Sequence, residues 1–101
     1  MRPSPEPTLV ENERRNRIRL AVAAYAYEVL NETIMPDAEF DALAMKIEPS
    51  LATGNETLDR FFMEHFDPFT GIWVHKHPDQ AGLRRICIEV HKLKYQKKWM
   101  K

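Results

Sequence analysis

Apolar side chains recur at helical spacing along most of this chain, which predicts an all-α fold of about four helices. The first helix is predicted over about residues 10–31. Four of its apolar residues recur at i, i+4, i+7 and i+11 and form one stripe: Ile18, Val22, Tyr25 and Val29. We expect this stripe to face the core.

Two shorter helices are predicted next. Pro36 suits the first turn of the second helix, and Pro49 ends it because the residue before a proline is disfavoured in the α region. The third helix begins at an N-cap that is either Thr53 or Asn55 and ends at Asp67-Pro68. The predicted core residues of these helices are Phe40, Leu43, Ala44 and Ile47, then Leu58, Phe61, Phe62 and Phe66.

The last third of the chain combines a non-helical stretch with a final helix. Residues 69–74 contain the turn signal Thr70-Gly71, which we expect to place Trp73 in the core, and residues 72–74 could be extended. The final helix is predicted to begin near Pro78 and to continue to the end as a long C-terminal helix. Its core side comprises Leu83, Ile86, Cys87, Val90 and Leu93.

The length and composition predict one small domain. A chain of 101 residues with 44% hydrophobic side chains can form a single core. Three prolines among the first seven residues predict a disordered leader over residues 1–9, followed by a single helical domain over residues 10–101. The single cysteine, Cys87, excludes an internal disulfide, and no apolar run approaches the ~20 residues of a membrane helix. These features predict a cytoplasmic protein.

The charges balance overall but are unevenly distributed. Fifteen basic and fifteen acidic residues cancel, which excludes a strong overall field for nucleic acid or acidic membranes. Residues 76–101 nevertheless carry eight basic and two acidic residues. Four arginines crowd the first half of the first helix, and we interpret them as a solvated face: Arg14, Arg15, Arg17 and Arg19.

The most specific pattern is a pair of short segments at a fixed spacing. Residues 25–30 read YAYEVL and, five residues later, residues 36–43 read PDAEFDAL. This pattern resembles the first conserved block of domain Ia, the N-terminal domain of NAD-dependent DNA ligases. In that block, a helix ending in a Tyr-x-Tyr-His-type stretch precedes an Asp-Ala-Glu-Tyr-Asp-x-Leu helix start. The resemblance covers about residues 18–43 and implies an N-terminal helical hairpin.

The resemblance also implies a ligand. Domain Ia of these ligases binds the nicotinamide mononucleotide (NMN) half of NAD, so NMN or NAD is a possible ligand here. Carried over position by position, the candidate nucleotide-binding residues are Tyr27, Glu28, Asp37, Phe40 and Asp41. Phe40 stands where the family has tyrosine and keeps the aromatic surface. Glu28 stands where the family has histidine, and its negative charge would repel the phosphate of NMN.

The chemistry of these residues leaves two interpretations open. At 100° per residue, Tyr27 lies on the face of the first helix opposite Ile18. Asp37 and Asp41 share one face of the second helix and flank Phe40, so a cationic ring could bind between them. Acidic residues in the first turn of a helix also complement its dipole and need no ligand.

We predict that the chain is not an enzyme. Ligases attach AMP to a lysine in a Lys-x-Asp-Gly motif, and that motif is absent here. The three glycines, Gly54, Gly71 and Gly82, form no glycine-rich phosphate-binding loop. A chain of 101 residues also leaves no room for an adenylation domain.

Four histidines suggest a metal site: His65, His75, His77 and His91. His75 and His77 would share one face of an extended segment. Lys76 separates them, however, and no second pair of metal ligands accompanies them. We therefore expect no metal, and we interpret His77 as a cap of the last helix.

The C-terminal tail combines basic and aromatic side chains. Ile88, Tyr95 and Trp99 form a second stripe on the predicted last helix, with Lys94 and Lys98 beside it. Such a stripe favours a protein partner or self-association. The same residues could contact nucleic acid, or could form a solvated helix end whose positive charge complements the dipole.

Three functional hypotheses follow. The first is a non-catalytic protein, encoded by a phage or prophage, that binds a host protein in the bacterial cytoplasm. The second is a binding protein for NMN, NAD or a related nucleotide. The third is a nucleic-acid accessory protein that uses the lysine-rich tail. Residues 67–78 also resemble small phage proteins described as ligase-like. The sequence favours the first hypothesis, since it requires no intact pocket.

Overall fold

The computed structural model describes residues 8–93, which form four α-helices and one short 3-10 helix. This part of the chain contains no β-strand, which confirms the predicted all-α fold. None of its helices is long and apolar enough to cross a membrane. The elements in chain order are α1 (Leu9–Glu28), α2 (Asp37–Lys46), α3 (Glu56–His65), the 3-10 helix (Ile72–Lys76) and α4 (Gln80–Glu89).

Helix α1 begins earlier than the sequence pattern predicted. Thr8 is its N-cap and forms a capping box, since Glu11 N donates to Thr8 Oγ1 at 3.1 Å and Thr8 N donates to Glu11 Oε1 at 3.0 Å. The predicted leader over residues 1–9 is therefore too long, since Leu9 is the first residue of α1 and Thr8 caps it. Residues 1–7 lie outside the described part of the chain.

The second half of α1 is the centre of the fold. Every residue from Leu20 to Ala26 is buried, because α2, the 3-10 helix and α4 all pack on this one helix. The alanines in this stretch allow close approach from several sides. The predicted single stripe is therefore only partly correct, because Ile18 is 51% exposed and Val29 is 39% exposed.

Helices α2 and α3 agree with their sequence patterns. Leu43, Ala44 and Ile47 of the first pattern and Phe61 and Phe62 of the second are buried. Of the two possible N-caps of α3, Asn55 is the one observed, because its side chain accepts a hydrogen bond from Leu58 N at 3.1 Å. Thr53 instead donates its hydroxyl to Asp59 Oδ1 at 2.6 Å.

The segment after α3 is helical, so the expectation of a short extended piece was wrong. Residues 72–76 form the 3-10 helix, which turns Trp73 into the core. The indole Nε1 of Trp73 donates a hydrogen bond to Thr70 O at 2.6 Å. The ring lies 5.2 Å from the Phe66 ring, centroid to centroid. The predicted burial of Trp73 is thus confirmed, with a different backbone conformation.

Helix α4 is short, which corrects the predicted long C-terminal helix. Asp79 is its N-cap, and its Oδ1 accepts from Gly82 N at 3.0 Å, so His77 is not the cap. The helix ends at Glu89 because Lys92 adopts a left-handed conformation with a φ of 59°. Leu93 N then donates to Cys87 O at 3.0 Å, which reverses the chain.

The end of α4 also changes the interpretation of the second apolar stripe. The predicted stripe of Ile88, Tyr95 and Trp99 assumes that one helix continues past residue 89, whereas α4 ends at Glu89 and Lys92 is left-handed. Ile88 itself is half-buried. Lys94, Tyr95, Lys98 and Trp99 lie outside the described residues.

A buried ionic network fixes the start of α1 to the rest of the fold, so Arg17 does not belong to a solvated face. Arg17 is 5% exposed and its Nε donates to Glu13 Oε2 at 2.6 Å. Its Nη1 donates to Asp59 Oδ1 at 2.8 Å, and its Nη2 donates to the carbonyl oxygens of Glu48 and Leu51 at 2.8 and 3.1 Å. These bonds join α1 to α3 and to the connection between α2 and α3.

The remaining three arginines of α1 are exposed. Arg14 Nε donates to Thr53 O at 3.1 Å. Arg19 is paired across the surface with Glu39 of α2 at 3.2 Å. The predicted solvated face thus describes Arg14, Arg15 and Arg19, although two of them also bind neighbouring elements.

Candidate functional site

Four of the five predicted nucleotide-binding residues line one cavity. The cavity has a volume of about 250 Å³ and lies between α1, α2 and the turn before the 3-10 helix. Tyr27 and Glu28 lie on its α1 side, and Asp37 and Phe40 lie on its α2 side. Asp41 is exposed on α2 and does not line the cavity.

The end of α1 positions the first two of these side chains. Asn31 adopts a left-handed conformation with a φ of 62°, and Glu32 N donates to Ala26 O at 2.8 Å. The chain therefore reverses directly after Tyr27 and Glu28. Asparagine is one of the few residues that tolerate this conformation well. The reversal leads through residues 33–35, which form one wall of the cavity, into α2.

The start of α2 positions the other two side chains. Pro36 is the N-cap, and Asp37 is the first helical residue. Phe40 follows one turn later, so its ring lies on the same side of α2 as Asp37. The ring is half-buried and packs against the core, whereas Asp37 is exposed to solvent.

The third wall of the cavity comes from a distant part of the sequence. Thr70 and Gly71 close it, and a methyl group at Gly71 would lie 3.4 Å from Ala24 Cβ. The same methyl group would lie 3.6 Å from Phe40 Cζ and 3.8 Å from Glu28 Oε2. Gly71 therefore faces the two central candidate residues across a short gap.

The cavity has an acidic and aromatic character. Glu28 and Asp37 supply carboxylates, and Tyr27 and Phe40 supply aromatic rings. Within residues 8–93, no lysine, arginine or histidine lines the cavity. Beside it, His75 Nε2 lies 3.6 Å from Glu28 Oε1, with side chains that are 53% and 21% exposed. Such a site favours a flat cationic group over an anion.

Sequence reasoning missed Gly71 and His75 as neighbours of this site. The local pattern predicts only a turn at Thr70-Gly71 and offers His75 only as a candidate metal ligand. Both residues are more than forty positions from Glu28 in the sequence. No local pattern connects them with α1, so only the packing of the 3-10 helix against α1 brings them together.

The histidines and the cysteine have other environments. Residues 8–93 contain no group of three or more side chains arranged to bind a metal. Burial lowers the pKa of His77, although nearby Asp79 partly opposes this shift, and the His77 Nδ1 accepts from Asp79 N at 3.0 Å. Burial also raises the pKa of the Cys87 thiol to about 11, and the thiol donates to Val22 O at 3.6 Å. These interactions are structural.

Comparison with protein-family models, with curated protein sequences and with solved structures gives no match to this chain. The relationship to ligase domain Ia stays a prediction, based on the sequence of residues 18–43.

Proposed function

We propose that this chain is a non-catalytic binding protein whose cavity between α1 and α2 holds the nicotinamide ring of an NMN- or NAD-type nucleotide. The observation that carries the proposal is the convergence of Tyr27, Glu28, Asp37 and Phe40 on one cavity. The resemblance of residues 18–43 to ligase domain Ia independently predicts the same four residues as ligand contacts.

The chemistry of the lining supports a pyridinium ring as the bound group. The nicotinamide ring of NMN and of oxidised NAD carries a positive charge, and aromatic faces attract cations by about 0.5–2 kcal/mol. The negatively charged carboxylates of Glu28 and Asp37 also attract the positively charged ring. A neutral ring would gain only the contact with apolar and aromatic surface.

The volume of the cavity supports the binding of a ring rather than of a whole dinucleotide. Pockets for drug-sized ligands are about 300–1,000 Å³. The present cavity, with about 250 Å³, lies just below this range. We therefore propose that the ring enters the cavity and that the remainder of the ligand lies at its mouth.

The proposal of a non-catalytic role rests on the residues around the cavity. Transfer of AMP in the ligase family requires a nucleophilic lysine, and the described residues place no lysine in the lining. The one buried thiol, Cys87, has a raised pKa and is therefore a poor nucleophile. The lining therefore supplies no nucleophilic lysine, and the Cys87 thiol is not reactive enough to replace it.

Calorimetric titration with NMN and with oxidised NAD at millimolar concentration tests this function. Two matched variants locate the site. Asp37→Asn removes a carboxylate that lines the cavity, whereas Asp41→Asn removes an exposed carboxylate one turn along the same helix. We expect binding by the unmodified chain, weaker binding by Asp37→Asn and by Tyr27→Ala, and unchanged binding by Asp41→Asn. No heat of binding with either ligand would contradict the proposal.

The two other hypotheses rest mainly on residues outside the described part of the chain, since Ile88 is the one partner-binding candidate within it. Binding of a host protein was assigned to Ile88 together with Tyr95 and Trp99, and contact with nucleic acid was assigned to the lysine-rich tail. Both stay predictions, and the early end of α4 removes the continuous helix that favoured the first of them.

A further inference from the structure

We infer that the cavity selects an N-substituted pyridinium cation without a phosphate group, such as a nicotinamide nucleoside, over the corresponding nucleotide. This inference rests on the proposed function, because it concerns the ligand class of the same cavity. The negative charges around the cavity attract the positively charged ring of a nicotinamide nucleotide and repel its phosphate.

The first step concerns the ring. Glu28 Oε2 lies near the wall formed by Gly71, at 3.8 Å from the position of a Cβ atom on that residue. Phe40 Cζ lies 3.6 Å from the same position. This gap has room for about one methyl group, so a flat ring would lie in the adjoining cavity, where Phe40 and Glu28 both line the wall. Both attract a pyridinium more strongly than an uncharged pyridine.

The second step concerns the phosphate. The N-terminus of a helix is an ordinary site for a phosphate group, since its free N–H groups and dipole are positive. The N-terminus of α2 borders the cavity, but its first turn already carries Asp37 and Glu39. A phosphate at this position would meet the negative charge of Asp37 in addition to that of Glu28.

The third step concerns the basic groups nearby. Arg19 of α1 pairs with Glu39 at 3.2 Å, so its charge is directed to that carboxylate. His75 lies beside Glu28 at 3.6 Å. Among residues 8–93, no basic side chain lines the cavity itself. Within this part of the chain, the cavity lining therefore offers a phosphate no arginine or lysine, the side chains that normally bind such groups.

Four probes with one common ring separate the contributions of charge and phosphate in a calorimetric titration. Nicotinamide is neutral, 1-methylnicotinamide is a cation, nicotinamide riboside is a cation with a ribose, and NMN adds the phosphate. We expect both phosphate-free cations to bind on the order of 10-fold more tightly than nicotinamide at low salt, with NMN between the two because its ring is attracted and its phosphate is repelled.

The variants Glu28→Gln and Asp37→Asn test whether the carboxylates cause this selectivity. Each should reduce the ratio between the affinities for nicotinamide riboside and NMN by several-fold. Asp41→Asn changes the net charge equally but lies outside the cavity, so it should leave the ratio unchanged. A ratio that responds equally to all three variants would reflect only the overall charge, and would contradict the inference.

The outcomes distinguish this inference from the proposed function. If NMN binds as tightly as nicotinamide riboside, or nicotinamide as tightly as 1-methylnicotinamide, the inference is overturned while the nicotinamide site stands. If none of the four probes binds at millimolar concentration, the proposed function fails as well.

Discussion

Arg17 Nη1 donates a hydrogen bond of 2.8 Å to Asp59 Oδ1 and thereby joins the first helix to the third. We expect Arg17→Met to lower the free energy of unfolding by about 3–5 kcal/mol, because removal of one partner leaves buried charge uncompensated. Glu13, which is 3% exposed, would lose the same partner. Urea unfolding followed by circular dichroism measures the loss.

The control for this prediction is Arg19→Met on the same helix. Arg19 is 48% exposed and its pair with Glu39 is surrounded by water. Exposed pairs of this kind contribute about 0–1 kcal/mol, so we expect a small change. Equal losses in the two variants would show that the Arg17 network does not stabilise the fold in the way described.

Asp59 makes the stability of the fold depend on pH. Burial raises the pKa of this carboxyl, but hydrogen bonds from Thr53 and Arg17 outweigh burial and lower the pKa below its ordinary value of 3.8. The unfolded chain therefore binds a proton at Asp59 at a higher pH than the folded chain. The stabilisation is present above pH 3.8 and is lost as the pH falls through the lower folded value.

The measurement is the difference in the free energy of unfolding between the unmodified chain and Asp59→Asn, from pH 7 down to pH 3. We expect this difference to shrink as the pH falls. Thr53→Val removes the hydroxyl that donates to Asp59 Oδ1, and should raise the pH at which stability is lost. A difference that stays constant to pH 3 would argue against a lowered pKa.

Lys92→Gly should stabilise the protein, which is unusual for a substitution by glycine. A left-handed conformation costs a residue with a Cβ atom about 1–2 kcal/mol, and glycine avoids this cost. We expect a net gain of about 0.5–1 kcal/mol, measured as a higher unfolding midpoint.

Glu89→Gly is the matched substitution in the last helical position of α4. Here glycine should cost up to about 1 kcal/mol, because glycine has a low helix propensity. If Lys92 instead continued the helix, both glycines would destabilise the protein alike. Opposite signs for the two variants support the end of α4 described above.

Gly71→Ala should reduce the cavity without unfolding the protein. The backbone at Gly71, with φ of −107° and ψ of 1°, does not require glycine, and the new methyl group would contact Ala24 at 3.4 Å. We expect a change in stability within about 0.5 kcal/mol and weaker binding of nicotinamide riboside, since the methyl group approaches Phe40 and Glu28. Unchanged affinity would show that the ligand does not contact the cavity wall at Gly71.

The sequence predicted the helices well where local signals act alone. Pro36, Asn55 and Pro49 mark boundaries through backbone conformation and capping, and the structure places the helix ends near them. The end of α4 carried no such signal, because neither glycine nor proline occurs near Lys92. It is accompanied by the packing of Leu93 against the core, a contact with distant residues that the local pattern does not show.

The candidate site was predictable only in part, for a related reason. Tyr27, Glu28, Asp37 and Phe40 lie close together in the sequence, and a short hairpin suffices to join them. Asp41 is a candidate through the resemblance to the ligase domain, but the cavity does not extend along α2 to it. Gly71 and the charged contacts of Arg17 depend on pairings between distant segments, which periodicity cannot predict.

One side of α1 is covered by α4, which is synthesised much later than α1. The carbonyl oxygen of Val22 accepts a hydrogen bond from Cys87, which is 65 residues later in the sequence. During synthesis from the N-terminus, at about 5–20 residues per second, this side of α1 stays uncovered for roughly 3–13 s. The nascent chain therefore displays an alanine-rich apolar surface throughout that interval.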